Sequence, residues 1–411
     1  MAHVIPFKAI RPSREEAAII AALPYDVYNR KEAYEKVKEQ PGSFLAIDRP
    51  ETQFSEDVDM YSDEVYLKAA EMLNNWIEKG RFIQDNEEFY YVYELTMDGR
   101  SQTGIVAAAS IDDYANSVIK KHENTRAEKE QDRIRHVDTC SAQTGPIFLA
   151  YKADETITGI VEKAKTRNPI YDFTAEDGIS HRCWIIDDMM SRALIATAFE
   201  KMESIYIADG HHRAASAVKV GMKRREENPG YTGHEDFNFF LSVLFPDDEL
   251  KIYDYNRVVK DLNGLALEEF LEELDSIVDI IETSEAPIRP AKKGQWAMLL
   301  DSTWYLCQVK SELLIDDPVE GLDVSLLQNL ILEPLLGIED PKTDERIDFV
   351  GGIRGLDELE RRCQTDSKIA FAMYPTSIAE LFAVADAGLL MPPKSTWFEP
   401  KLRSGLFIHK I

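Results

Sequence analysis

The stretch Ile205–Ser216, with the sequence Ile-Tyr-Ile-Ala-Asp-Gly-His-His-Arg-Ala-Ala-Ser, constrains the fold of this chain more than any other. Its β-branched and aromatic beginning predicts a short buried strand, and the alanines that follow predict a packed helix. The turn between them, called the DGHHR turn here, contains a carboxylate, a glycine and three basic side chains: Asp209, Gly210, His211, His212 and Arg213. The stretch therefore predicts a strand, a turn and a helix with basic residues at the helix start.

The basic residues of the DGHHR turn indicate an anion site. A helix N-terminus presents free N–H groups and a positive dipole end, and phosphate is the commonest anion bound there. The alternative is that Asp209 is a simple helix N-cap with histidines on the surface. Buried histidines and arginine without partners would cost stability, which favours a ligand. Adjacent histidines point to different faces of a helix, so a single zinc ion is not expected.

Two family resemblances rest on these and other residues. The DGHHR turn between a strand and a helix resembles the signature of the ParB/sulfiredoxin-like superfamily, in particular that of its free serine kinases, which phosphorylate the amino acid with ADP or ATP. This resemblance implies a ParB/sulfiredoxin-like core with large insertions, in which the turn holds nucleotide phosphates. In addition, Ile5–Pro12 and Met391–Leu402 resemble a widespread prokaryotic family of unknown function that carries the same motif.

The charge of the chain limits its partners. It has 47 basic and 74 acidic residues, a net charge of −27, which argues against binding to nucleic acid or to anionic membranes. An anionic ligand therefore needs a local basic pocket. Four scattered cysteines without a Cys-x-x-Cys pair suit a reducing cytoplasm. No apolar run is long enough to predict a membrane span, and early charges argue against a signal peptide.

Helix and strand patterns alternate irregularly, which predicts an α+β fold rather than a doubly wound sheet. Asp98-Gly99 between two strand-like runs predicts a β-hairpin. The composition becomes rich in Pro and Lys at Glu285–Lys293, which predicts a domain boundary. We expect residues 1–290 to form an elaborated ParB/sulfiredoxin-like domain, and residues 291–411 to form a C-terminal α+β region with a strap-like tail.

The most charged segment, Lys120–His136, contains the candidate general base. If the segment binds a nucleotide, Arg126 would contact its phosphates, and Glu123 would accept a proton from a substrate hydroxyl. The alternative is a solvated helix with many ion pairs, which is the usual meaning of such a segment. Asp26, which follows Pro24 in a loop, is the second candidate for the base.

Two further basic residues are candidate anion contacts. Three glycines in Val350–Gly355 permit close backbone approach around Arg354. Lys394 lies in a sequence that mimics a P-loop, but its two prolines lack the N–H groups that phosphate needs, so a P-loop is excluded. Together with Lys401 and Arg403, Lys394 could instead form a stiff strap over an anion site. The alternative is a C-terminal arm held in place by its aromatic residues.

These features predict a nucleotide-dependent phosphotransferase that phosphorylates the hydroxyl of a small molecule, with serine as first choice. ATP or ADP would be the donor, and Asp209 would bind Mg²⁺ or orient a histidine. The alternative is a nucleotide-binding regulatory or switch protein of the ParB-like superfamily that uses the same pocket without turnover. The acceptor, the preferred nucleotide and the oligomeric state are left open by the sequence.

Overall fold

A computed structural model describes residues 1–125 and 127–411, so Arg126 lies outside the described residues. The contacts divide the chain into two compact units. Unit 1 comprises Met1–Leu250 and Pro400–Ile411, and unit 2 comprises Lys251–Glu399. This division differs from the boundary near residue 290, because the Pro- and Lys-rich segment only connects two strands within unit 2. The assignment of separate domains stays a prediction.

The α-helices of the described residues vary from a single turn to more than four turns. In chain order they are α1 (Ala17–Ile20), α2 (Arg30–Glu39), α3 (Leu45–Asp48), α4 (Asp63–Glu78), α5 (Ile111–Ala115), α6 (Ala127–Cys140), α7 (Glu155–Lys165), α8 (Met189–Glu200), α9 (His211–Glu227), α10 (Leu267–Leu274), α11 (Asp323–Leu327), α12 (Asp357–Thr365) and α13 (Ile378–Asp386). Short 3₁₀ turns at Tyr25–Val27 and Pro50–Gln53 lie in unit 1.

The strands of the described residues in unit 1 before its C-terminal segment are β1 (Val4–Ile5), β2 (Ile10–Pro12), β3 (Phe82–Gln84), β4 (Tyr90–Met97), β5 (Arg100–Ser110), β6 (Ile119–Lys120), β7 (Ala142–Gln143), β8 (Ile147–Tyr151), β9 (Tyr171–Thr174), β10 (Ser180–Ile186), β11 (Ile205–Asp209) and β12 (Phe239–Pro246). Those of unit 2 are β13 (Ile252–Tyr253), β14 (Tyr255–Val259), β15 (Val278–Ser284), β16 (Gln295–Leu300), β17 (Thr303–Val309), β18 (Ile347–Gly351), β19 (Ile369–Met373) and β20 (Trp397–Phe398). The last, β21 (His409–Lys410), returns to unit 1.

The main sheet of unit 1 has the order β6-β11-β8-β12-β5-β4-β10-β9, with β1 paired to β5. Its pairings are mixed: β11 runs parallel to β6 and antiparallel to β8, and β8 runs parallel to β12. The predicted hairpin is confirmed, because β4 and β5 pair as antiparallel neighbours on either side of Asp98-Gly99. Both turn residues have positive φ, of 51° and 77°, as a two-residue hairpin turn requires.

The predicted strand at the start of Ile205–Ser216 is confirmed as β11. Ile205 and Ile207 are fully buried and pack in the core of unit 1 with Leu149 and Phe199. Complete burial of such a side chain contributes roughly 1.5–3 kcal/mol each. This core fixes the position of the residues that follow β11.

Unit 2 is built on a second sheet, with the order β15-β17-β16-β19-β14-β18 and antiparallel pairing throughout. Its core contains Trp304 and Leu299, and Leu359 of α12 packs against them. Mixed and antiparallel sheets with interspersed helices confirm the α+β class. In the described part of the chain, no helix is both long and apolar enough to cross a membrane.

The helix expected across the charged segment begins later than the charge pattern suggested. Ile119 and Lys120 form β6, and α6 begins only at Ala127. Glu123 therefore lies in the connection between a strand and a helix, and not on the solvated helix that was the alternative for this segment. The reason is tertiary: Ile119 is buried and pairs with Ile205, so sheet pairing replaces the first helical turns.

Helices α6 and α9 pack side by side within unit 1. Ser216 Oγ donates a hydrogen bond to the Glu130 backbone carbonyl, at 3.1 Å. Toward the other end, Arg224 Nη2 lies 2.8 Å from Asp138 Oδ1. The start of α6 is thereby held near the first turns of α9.

Candidate functional site

A β-bulge at the end of β11 sets the direction of Asp209. The pairing of β11 with β8 is regular as far as Ile207 and shifts before Asp209. Bulges of this kind redirect a side chain beside a functional site. Asp209 Oδ1 accepts a hydrogen bond from the Gly210 N–H at 2.7 Å, and Oδ2 lies 3.0 Å from Lys401 Nζ. The carboxylate is therefore held at both oxygens.

The Asp209 carboxylate remains charged at neutral pH. Burial opposes its ionisation, but the positive charges of Lys401 and Arg213 outweigh that effect and lower its pKa well below the ordinary value. About a third of the side chain, 34%, is exposed. A charged and partly accessible carboxylate is suited to contribute one oxygen ligand to Mg²⁺.

Gly210 allows the basic side chain of Arg213 to fold over the turn. Its φ of 93° is in the left-handed region, and as the N-cap residue of α9 it has no side chain with which to cap the helix. A Cβ on Gly210 would lie only 3.2–3.4 Å from the Arg213 guanidinium. That guanidinium is anchored by a hydrogen bond from Nη1 to the Pro146 carbonyl, at 2.6 Å. A helix N-terminus with glycine at its cap position and a fixed cation thus lie together, as expected of an anion site.

His122 and His211 form a buried pair beside the turn. Their ring centroids are 4.5 Å apart and their planes are nearly perpendicular. The His122 backbone N–H donates to His211 Nε2 at 3.4 Å, which assigns the proton of neutral His211 to Nδ1. Burial lowers the pKa of both rings, that of His122 to about 4. Both histidines are therefore neutral at pH 7.

The ring of His122 is an exception to the rule that buried polar groups are hydrogen-bonded. It is only 2% exposed, and neither ring nitrogen has a hydrogen-bond partner within residues 1–125 and 127–411. Leaving buried polar atoms unsatisfied costs about 1–3 kcal/mol for each group. Such groups occur where catalysis or ligand binding maintains them against that cost.

The structure brings Glu123 to the DGHHR turn. Glu123 Oε2 lies 3.9 Å from His211 Nδ1, and its side chain is 50% exposed. The parallel pairing of β6 with β11 explains this proximity, because residues that follow two parallel strands emerge at the same edge of the sheet. An accessible carboxylate therefore stands beside a candidate phosphate site.

The remaining predicted residues are distributed differently. His212 lies in the first turn of α9, where its carbonyl accepts a hydrogen bond from Ser216. Arg126, which was predicted to contact the nucleotide phosphates, lies outside the described residues. Arg354 and Lys394 belong to unit 2, and their roles as phosphate contacts stay predictions. Arg354 is exposed and lies 4.0 Å from Glu358.

Packing within unit 2 accounts for the glycines near Arg354. A Cβ on Gly351 would lie 2.9 Å from the Trp397 ring, and one on Gly352 would lie 2.2 Å from an Asp254 oxygen. Both positions thus require glycine for close contacts inside unit 2. The glycine-rich pattern is explained without a ligand.

From sequence, Lys401 was expected only as part of a strap over an anion site, and no partner residue was assigned to it. It reaches Asp209 because the C-terminal segment runs through unit 1, where Ile408 bridges to Ile10. Arg403 of the same segment donates to His181 Nε2 at 3.2 Å and pairs with Asp177. The basic character of the segment was visible in the sequence, but its acidic partners were not.

Comparison with solved structures shows three similarities at the level of overall fold. A free serine kinase variant in complex with ADP has 15% identity and a TM-score of 0.36, and the match covers 74% of this chain and 92% of that chain. SbnI with a C-terminal truncation, from Staphylococcus aureus, has 11% identity and a TM-score of 0.38, with 73% and 85% covered. A conserved hypothetical protein from Pyrococcus furiosus has 15% identity and a TM-score of 0.36, with 74% and 94% covered.

Comparison at the level of sequence places the chain in a family. No curated protein matches it significantly. The profile of DUF1015, described as a protein of unknown function, matches residues 4–325. That range contains β11, the DGHHR turn and Glu123, and it spans well over half of the chain. The protein therefore belongs to the DUF1015 family.

Proposed function

We propose that unit 1 binds a nucleotide at the DGHHR turn and transfers its terminal phosphoryl group to the hydroxyl of a small molecule, with serine or a serine-like amino acid as first candidate. One observation carries this proposal: the half-exposed Glu123 carboxylate lies 3.9 Å from His211, at the N-terminus of α9. Phosphoryl transfer needs an anion site for the phosphates and a base beside the acceptor hydroxyl.

The phosphates would lie at the N-terminus of α9. The first N–H groups of that helix and its dipole favour negative charge. Arg213, held over Gly210, supplies a cation with donor groups in a fixed plane. Lys401 supplies a second cation at Asp209. These groups give a chain of net charge −27 a local basic site for an anion.

Glu123 would act as the general base. It accepts the proton of the acceptor hydroxyl, the hydroxyl oxygen forms a bond to the terminal phosphorus, and the bond from that phosphorus to the nucleotide breaks. The leaving oxygen keeps the electron pair, so the nucleotide departs one phosphoryl group shorter. Neutral His211 faces the carboxylate through Nδ1–H and acts as a positioning residue. The 3.9 Å between Glu123 and His211 fits this role, because hydrogen bonds between catalytic groups are often long without a ligand and shorten when the substrate binds.

Asp209 is the residue of this site that would hold Mg²⁺. Magnesium is usually bound by one or two carboxylates together with substrate phosphates, so a single charged carboxylate beside the phosphate site suits it. The ion would supply charge neutralisation on the phosphates. In the absence of an ion, the charge of Asp209 is balanced by Lys401.

The direct test is incubation of the protein with ATP or ADP, Mg²⁺ and a pool of hydroxy amino acids, followed by mass spectrometry and ³¹P NMR. A phosphorylated amino acid formed with equal loss of nucleotide phosphate supports the proposal. Tight nucleotide binding without an acceptor product would favour the regulatory alternative. Absence of binding to both nucleotides would reject the proposal.

A further inference from the structure

A second cavity of unit 1 lies beside the 3₁₀ turn Tyr25–Val27. It has a volume of about 180 Å³ and lies between that turn, the Arg49–Glu51 segment and α6. This volume is below the roughly 300–1,000 Å³ of pockets for drug-sized ligands, so the cavity suits a small metabolite. The polar residues that line it include Tyr25, Arg49, Glu51, Tyr66, Asp132 and Arg133.

One wall of the cavity contains a buried pair of opposite charges. Arg49 and Glu51 are 7% and 5% exposed, and Arg49 Nε lies 2.6 Å from Glu51 Oε1. Arg49 Nη1 is fixed by the carbonyls of Tyr25 and Tyr28, at 3.0 and 2.7 Å. Arg49 Nη2 and Glu51 Oε2 have no hydrogen-bond partner in the described part of the chain. The wall therefore retains one cationic donor and one anionic acceptor.

A second pair of opposite charges, on α6, also lines the cavity; Arg133 of this pair is buried and Asp132 is half-buried. Arg133 Nη2 lies 2.8 Å from Asp132 Oδ2, and the guanidinium stacks 4.0 Å from the Tyr25 ring centroid. The Tyr66 hydroxyl donates to Asp132 Oδ1 at 2.8 Å. Buried ion pairs are costly to desolvate and often stabilise a fold no more than apolar residues would. Two such pairs around one cavity therefore indicate recognition of a ligand with charges of both signs.

The cavity adjoins the candidate active site. Tyr25 and Arg133 also line a smaller cavity, of about 30 Å³, whose other walls include Arg213 of the DGHHR turn. In addition, α6, which contributes Asp132 and Arg133, begins shortly after Glu123. A ligand in the larger cavity thus lies next to the elements that carry the base and the phosphate site.

We infer that this cavity binds an α-amino acid as its zwitterion, with the ligand carboxylate at Arg49 and the ligand ammonium at Glu51. The role of this ligand as phosphoryl acceptor rests on the proposed function; the binding itself does not. In that role, the hydroxyl on the amino acid side chain is the group that Glu123 would deprotonate. The site selects its acceptor by the backbone charges of a free amino acid.

Isothermal titration calorimetry on the full chain tests the binding. A panel of α-amino acids is compared with glycerate, which lacks the ammonium, and with ethanolamine, which lacks the carboxylate. We expect a hydroxy amino acid to bind, and both analogues to bind at least about tenfold more weakly, since each loses a charge-assisted hydrogen bond. Absence of amino acid binding, or equal binding of glycerate, overturns the inference.

Two variants locate the site. Glu51→Gln should weaken amino acid binding about tenfold to hundredfold and leave glycerate binding unchanged. Because Glu51 is buried and paired, Met60→Trp provides a second variant, which fills the cavity from the half-buried rim without removing a charge. Met190→Trp, at an exposed position on α8, is the matched control. Unchanged amino acid affinity in folded Met60→Trp overturns the assignment.

The same variants separate this inference from the proposed function. If the protein binds an amino acid, loses that binding in Met60→Trp and yet transfers no phosphoryl group, the pocket stands and the kinase proposal fails. If the protein phosphorylates an amino acid with the same KM in Met60→Trp, the kinase proposal stands and the pocket fails.

Discussion

His122 should make the stability of unit 1 depend on pH in a way that one substitution removes. Burial lowers the pKa of this histidine from 6.5 to about 4. Between these values the unfolded chain binds a proton that the native state does not, so the free energy of unfolding decreases as the pH falls from 6.5 toward 4. The difference between the two pKa values corresponds to about 3 kcal/mol in the free energy of unfolding, which changes with pH by at most about 1.4 kcal/mol per pH unit.

His122→Gln keeps a polar side chain but removes the titration. As the pH falls from 6.5 to 4, the free energy of unfolding should decrease by about 3 kcal/mol less in the variant than in the wild type. Urea unfolding at half-unit pH intervals measures this difference. Titratable groups away from His122 contribute equally to both proteins. The pKa of His211 is lowered partly by His122, so its loss in the variant adds to the difference in the same direction.

His234→Gln is the matched control, because His234 is exposed and its removal should change the profile little. If the wild type and His122→Gln give parallel profiles down to pH 4, His122 is not held neutral by burial. The assignment of an unsatisfied histidine beside His211 would then be refuted.

Two substitutions in the DGHHR turn, and one of Lys401 that contacts it, test the anion site. Arg213→Ala should weaken nucleotide binding, measured by calorimetry, by about 1–3 kcal/mol. Arg361→Ala, at an exposed arginine, is the control and should not weaken it. If Arg213→Ala binds nucleotide as tightly as the wild type, Arg213 is not part of the site. Gly210→Ala should lower both the thermal unfolding midpoint and the nucleotide affinity, because it strains a backbone with a φ of 93° and displaces the Arg213 side chain. An unchanged midpoint would contradict this. Lys401→Gln should raise the pKa of Asp209, observable by carbonyl NMR, and an unshifted titration would deny the pairing.

The sequence predicted the local parts of the fold well, because those parts depend on neighbouring residues. The hairpin at Asp98-Gly99 and the succession of β11, turn and α9 follow from turn chemistry and periodicity. The extent of unit 2 was not predictable in this way. Glu285–Lys293 has the composition of a linker, yet its position between two paired strands depends on contacts with distant residues.

The candidate site shows the same division. The residues of the DGHHR turn were identified from their order in the chain. The proximity of Glu123 follows from the parallel pairing of Ile119 with Ile205, which no local pattern encodes. Likewise, Lys401 meets Asp209 only because the C-terminal segment returns to unit 1. Long-range pairing therefore completed a site of which the sequence showed separate pieces.

Turnover by Glu123→Gln is the most direct test of the central claim. The substitution preserves size and some hydrogen bonding but cannot accept the hydroxyl proton. We expect phosphoryl transfer to fall about 10²–10⁴-fold while the nucleotide Kd stays nearly constant. Glu128→Gln, at an exposed glutamate in the first turn of α6, should retain full activity. Near wild-type transfer by Glu123→Gln would exclude Glu123 as the general base and leave Asp26 as the next candidate.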